Sequence, residues 1–218
     1  MNKIPFYPNP DHTHCFQAVL RMILEYYFPE EKFTWEELDK LSGKKEGLWT
    51  WPLKTMIHLK DRGLQVINRE YFDYERFSRE GDSYLIGRFG EEVGRSQIEN
   101  SDIPSEMENA KRILTDIDLE LRVPGFSDIR ELLNEGFLVV CNVNLHALNG
   151  DPGYSGHFVL IIGIDDGSLY MHDPGPPPVK NRKVSHGQFL KAWAYPSDKD
   201  KNMIAFKYEE QEHDLIKK

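Results

Sequence analysis

A cysteine at the head of an amphipathic helix, a histidine at the mouth of an apolar strand and a carboxylate closing the next strand can together perform nucleophilic thiol chemistry. Cys15 lies in His14-Cys15-Phe16-Gln17-Ala18-Val19-Leu20-Arg21-Met22-Ile23-Leu24. At a helix N-terminus the unpaired backbone N–H groups and the helix dipole favour thiolate, the attacking form, over thiol. Taken alone, a lone cysteine there is more often a small buried hydrophobe. His157 opens Gly156-His157-Phe158-Val159-Leu160-Ile161-Ile162-Gly163. An imidazole entering a buried strand sits at the rim of the sheet, within reach of a helix terminus packed on it, although a structural histidine fits the same place. Asp173 ends Leu169-Tyr170-Met171-His172-Asp173-Pro174, and Asp166-Gly167 between the two runs is a hairpin signal. Antiparallel pairing then returns residue 173 to the beginning of the 157 strand. There Asp173 accepts from a ring N–H of His157 and fixes its tautomer, whereas in isolation Asp-Pro simply starts a turn. Combined, the three assign Cys15 as nucleophile, His157 as base and Asp173 as orienting carboxylate.

The elements that must position them follow from periodicity. Residues 14–27 place Ala18, Val19, Met22, Ile23 and Tyr26 at helical spacing, with Thr13 or Asp11 as cap and Phe28-Pro29 as stop. Helices are expected at 34–42, with Thr34 and Glu37 as a capping box, and at 52–62, closed by Gly63. Residues 65–71 read as a short strand. The tract 72–123 is polar and weakly periodic, with 106–120 its best helix, and is expected to be a helical insertion. A helix at 126–135, ended by Gly136, precedes β-rich runs at 137–145, 157–164 and 168–172. A short helix at 185–193 and a closing strand at 201–209 complete the chain. Helices followed by an antiparallel meander give an α+β class in one domain spanning 1–218, with the cysteine-bearing helix packed on the sheet.

With 218 residues, 39% hydrophobic and 12% aromatic, the chain can bury a substantial core. Mean hydropathy of -0.58 and the lack of a long apolar run exclude a membrane span, and the N-terminus lacks a signal peptide's apolar core, so a cytoplasmic protein is expected. A net charge of -9 disfavours nucleic acid as a partner. Two cysteines make no disulfide framework, and Cys141, inside Phe137-Leu138-Val139-Val140-Cys141-Asn142-Val143, reads as core filler.

These motifs, in this order and spacing, resemble the papain-like cysteine peptidases of the bacteriocin-processing type and their free-standing relatives. The resemblance rests on the segment around Cys15, on Gly156-His157-Phe158-Val159 and on Tyr170-Met171-His172-Asp173-Pro174. It covers the first 30 residues and about 126–210, leaving 72–123 without a counterpart. It implies a papain-like fold and a peptidase or amidase working through an acyl-enzyme thioester, on a peptide or other amide or thioester substrate, without cofactor. An acyltransferase on the same machinery, or an inactive binding domain of the same fold, remains open. Such relatives carry a glutamine six residues before the cysteine as an oxyanion donor; here that position is Asn9, which offers the same amide on a shorter stem or is a turn residue between Pro8 and Pro10. Where the family often has glycine after the nucleophile, this chain has Phe16, which narrows the acyl site or simply packs.

A rival chemistry is a zinc site from His12, His14 and Cys15 with His157 or His172, but the adjacency of His14 and Cys15 makes joint chelation awkward and no metal is expected. His12 and His14 are instead candidate cleft residues, together with Phe16, Trp49 and Trp51, although tryptophans flanking a helix start are also common core residues. Trp193 reads as packing, and Glu209-Glu210-Gln211-Glu212 as a solvated end.

Overall fold

The structure, a computed structural model, describes residues 3–208. In chain order the first elements are α1 (Cys15–Tyr27), α2 (Trp35–Ser42), α3 (Leu53–Asp61) and β1 (Leu64–Glu70). Then come α4 (Tyr74–Glu80), α5 (Asp82–Phe89), α6 (Glu91–Glu99), α7 (Ile103–Asp116) and β2 (Asp118–Leu121). The remainder is α8 (Phe126–Asn134), β3 (Leu138–Asn144), α9 (Leu145–Asn149), β4 (Gly156–Ile164), β5 (Ser168–Asp173), β6 (Val179–Ser185), α10 (His186–Trp193) and β7 (Asn202–Tyr208). The seven strands form one sheet in the order β2-β1-β7-β3-β4-β5-β6. Among the described strands only β1 and β2 run parallel, and β3 to β5 make the expected meander, which β6 extends. The class is α+β, with the helix that begins at Cys15 packed on the sheet.

Alternation along the central strands supplies a core on each face. Leu138, Val140, Phe158, Leu160 and Phe206 face α1 to α3, while Val139, Cys141, Val159, Ile161 and Ala205 face α8 and α10. A strand buried on both faces has no polar side, which explains the nearly unbroken apolar runs of β3 and β4. Helix α1 lies on β4: Val19, Leu20 and Ile23 are buried, and Phe16 meets Phe158 at a ring separation of 4.5 Å. At this pairing the residue after Cys15 is turned into the core.

Local signals are honoured in α2, whose capping box closes with Thr34 Oγ1 accepting from Glu37 N–H and Glu37 Oε2 accepting from Thr34 N–H. The start of α1 differs from expectation. His14 is its N-cap residue without a side-chain cap, while Asp11 Oδ1 accepts instead from Thr13 N–H and the His14 ring. The tract 72–123 holds four helices but also β2, which extends the sheet at its edge. The helix expected at 106–120 therefore begins earlier and gives way to strand at 118. Strand β6 was also not anticipated. Trp193 is buried and donates from Nε1 to Asn202 O at 2.7 Å. The acidic run at 209–212 lies outside the described residues.

Candidate functional site

Hairpin register sets the first half of the site. Leu160 pairs with His172 across β4 and β5, so Asp173 comes one step further along, beside the strand that His157 enters. The contact is direct: His157 Nε2–H donates to Asp173 Oδ1 at 2.7 Å, with the two residues 2% and 0% exposed. The backbone N–H of His157 donates to Asn142 Oδ1 on β3 at 3.3 Å, which fixes the ring's point of departure. With Nε2 engaged, Nδ1 is the ring nitrogen left for the thiol, and the Cys15 and His157 side chains are near enough for each to shift the other's protonation. Helix α1, held on β4 by its apolar face, delivers the sulfur to that point.

The electrostatics match this chain of contacts. Burial pushes the Cys15 thiol up, but the bond to His157, its charge and the backbone N–H groups of Phe158 and Phe16 outweigh burial and hold it below the ordinary thiol value. Burial likewise pulls His157 down, yet Asp173 and Cys15 raise it to about 9. Asp173, pushed up by burial, is held below the usual carboxylate range by His157, the Gly175 N–H and Arg182. A lowered thiol beside a raised imidazole shifts the balance of this pair toward thiolate and imidazolium. Cys141 is the contrast: with no charged neighbour and complete burial, its thiol is pushed far up.

Asn9 stands beside this centre. Its Oδ1 accepts from His14 N–H at 3.0 Å, and its Nδ2 donates to Gly175 O at 3.3 Å. The backbone N–H of Asn9 donates to Pro174 O at 2.9 Å. It thereby ties the residue before Cys15 to the corner after Asp173, with one Nδ2 hydrogen still uncommitted. Gly175 makes that corner feasible. Its φ is 79°, its N–H donates to Asp173 Oδ1 at 2.9 Å, and a Cβ there would lie 2.2 Å from Pro178 N.

The other candidates are dispersed. His14 is bracketed by Asp11 at 2.6 Å and Asp39 at 3.1 Å and packs on the Trp35 edge. His12 is exposed, at φ 69°. Phe16 is 4% exposed and belongs to the core against Phe158, so of narrowing the acyl site and packing it does the latter: one step along a helix rotates a side chain by about 100°. Trp51 stacks on Phe77 at 5.3 Å and donates to Ser101 Oγ, so it joins the main body to the 72–123 tract. Trp49 is exposed and lines a small cavity of about 180 Å³ with Lys45, Lys54 and Glu106. His172 contacts Ile4 O, Asn181 N–H and the Phe6 ring. No cluster of three or more His, Cys, Asp or Glu among the described residues is arranged to hold a metal ion. No helix among them is long and apolar enough to cross a membrane.

Arg182 was not singled out by its sequence. Its Nη1 donates to Asp173 Oδ2 at 2.6 Å, filling the oxygen that His157 leaves free. Nothing in a polar segment between a proline run and a helix marks it, because the partner is set by the β5–β6 register, where Arg182 faces Met171.

No protein-family model matches the chain, and no curated protein matches it. Among solved structures it is similar to the peptidase domain of Streptococcus ComA, a bi-functional ABC transporter involved in a quorum sensing pathway. That match has a TM-score of 0.54 and 14% identity, covering 95% of this chain and 100% of that one. A chain described as a C39-like peptidase from Bacillus anthracis matches with a TM-score of 0.49 and 16% identity, over 96% of each chain. At such identities the likeness concerns architecture, and the chain has the papain-like fold that the ComA peptidase domain adopts.

Proposed function

We propose that the chain is a cysteine-dependent hydrolase, a peptidase or amidase, in which Cys15, His157 and Asp173 act as nucleophile, general base and orienting carboxylate. The observation that carries this reading is the hydrogen bond from His157 Nε2 to a buried Asp173, with the Cys15 thiol at the head of α1 near enough to the same ring to be shifted by it. His157 takes the thiol proton at Nδ1, and the thiolate attacks the substrate carbonyl to give a tetrahedral oxyanion. The Cys15 backbone N–H, free of a helical partner at the first turn, and the uncommitted Asn9 Nδ2 hydrogen stabilise that charge. His157 then returns its proton to the leaving amine, and water, deprotonated by the same ring, cleaves the thioester. Asp173 keeps Nδ1 facing the sulfur throughout.

Similarity to the ComA peptidase domain supports peptide substrates for this chain too. A defined peptide library incubated with wild type and Cys15→Ser tests the proposal. Cleavage by wild type, a thioester adduct on Cys15 by intact mass and neither with Cys15→Ser are expected. Cleavage that persists in Cys15→Ser overturns it.

A further inference from the structure

Arg182 sits behind the triad, where nothing in the thiol–imidazole–carboxylate chemistry assigns it. Asp173 is wholly buried and its two oxygens are divided: Oδ1 takes the His157 ring at 2.7 Å and the Gly175 N–H at 2.9 Å, and Oδ2 takes Arg182 Nη1 at 2.6 Å. The guanidinium is itself held from behind. Nη1 also donates to Asn149 Oδ1 at 2.8 Å, and Nη2 donates to Leu148 O at 2.8 Å, a carbonyl that Gln188 Nε2 shares at 2.8 Å. A planar fork gripped at both nitrogens cannot rotate without breaking several bonds, so it fixes the plane of the carboxylate that it touches.

We propose that Arg182 is a positioning residue for this site: through Asp173 it sets the orientation of the His157 ring and moderates how strongly the carboxylate holds the imidazolium. This rests on the triad reading above. Cys15, His157, Asp173 and Arg182 form a row of alternating charge, and the far cation draws part of the Asp173 field away from the imidazolium. A triad carboxylate with no such partner grips the imidazolium harder and makes it a poorer acid toward the leaving group. The charged or titratable groups bearing on His157 are Cys15 from α1 and Asp173 from β5, and Arg182 from β6 bears on Asp173. From strand β3 and helix α9 the uncharged Asn142 and Asn149 bear on this row.

The test is a set of ring titrations of His157 by NMR in wild type, Arg182→Met, Arg182→Lys and Asn149→Ala, beside rates of Cys15 alkylation by iodoacetamide. Arg182→Met is expected to move the His157 pKa upward by at least half a unit and to slow turnover of any cleaved peptide at least tenfold. Arg182→Lys restores the pKa through its charge but not the full rate, since an ammonium lacks the fork. Asn149→Ala, which leaves the charge pair intact, lowers the rate by a smaller factor and keeps the fold if Arg182→Met does not. Titrations that superimpose on wild type in Arg182→Met, or in Asn149→Ala a rate equal to wild type, overturn the role of Arg182. If wild-type Cys15 alkylates no faster than an ordinary thiol, it is the triad reading that fails, and the two failures are thereby distinguished.

Discussion

Replacing Asp173 by asparagine removes one charge and turns a pure acceptor into an acceptor and a donor, at a point where three donors converge. With its oxygen toward His157 and Gly175, the asparagine NH2 faces Arg182 Nη1 across the present 2.6 Å contact, two donors head to head. With its oxygen toward Arg182, the NH2 group faces the Gly175 N–H and forces His157 Nε2 to accept. The ring proton then moves to Nδ1, the nitrogen that must take the thiol proton. Either arrangement leaves a buried donor unmatched, costing about 1–3 kcal/mol, and breaking a buried ion pair costs about 3–5 kcal/mol in total. His157 stands at about 9 instead of 6.5, and that gap of about 2.5 pKa units corresponds to roughly 3 kcal/mol. Without the carboxylate, burial opposes Cys15 alone, and His157 is expected to titrate at or below 6.5. Because the folded pKa lies above the unfolded one, the His157 contribution to stability is complete below 6.5 and is lost as pH rises through about 9. The stability gap between wild type and Asp173→Asn therefore narrows across that window. NMR titration of the ring, with urea unfolding at pH 6 and pH 9.5, measures both. A ring still titrating near 9 in the variant, or a gap independent of pH, refutes the assignment of Asp173 as the source of the shift.

Three further outcomes follow from particular contacts. Phe16→Ala leaves a void against Phe158 and is expected to cost about 3–5 kcal/mol in denaturant unfolding, whereas a change under about 1 kcal/mol would place Phe16 outside the core. Gly175→Ala sets a Cβ against the backbone at Pro178 and disturbs the corner that grips both Asp173 and Asn9; it should slow Cys15 alkylation several-fold, and an unaltered rate contradicts the corner's role. Thr34→Ala opens the α2 capping box and is expected to cost about 1 kcal/mol without altering Cys15 reactivity.

The site was legible where chemistry and register coincide. Hairpin arithmetic from Asp166-Gly167 brings Asp173 to His157, and the apolar periodicity of 18, 19, 22 and 23 dictates which face of α1 meets β4. Strand β6 was hidden because it is an edge strand with mostly exposed side chains; among them only Val184 is buried, and no alternation shows. Strand β2 is four residues long and follows directly on α7, so its sequence reads as a continuing helix. Phe16 is next to Cys15 in sequence, but helical rotation turns it into the core, which is the packing role of the two its position allows. Arg182 lay beyond reach because its importance depends on long-range pairing and on a carbonyl of α9, neither of which leaves a local mark.

The most direct measurement of the thiolate–imidazolium pair is the pH dependence of Cys15 alkylation in wild type and His157→Ala, with Cys141 as the internal reference. Cys15 in wild type should react well below the ordinary thiol pKa, with a further change as His157 deprotonates at about 9. In His157→Ala the acid-side reactivity should vanish, while Cys141, buried in the core, stays unreactive until the chain unfolds. A wild-type profile with a single rise at the ordinary thiol value, unchanged by His157→Ala, would contradict the pair and with it the nucleophilic role of Cys15.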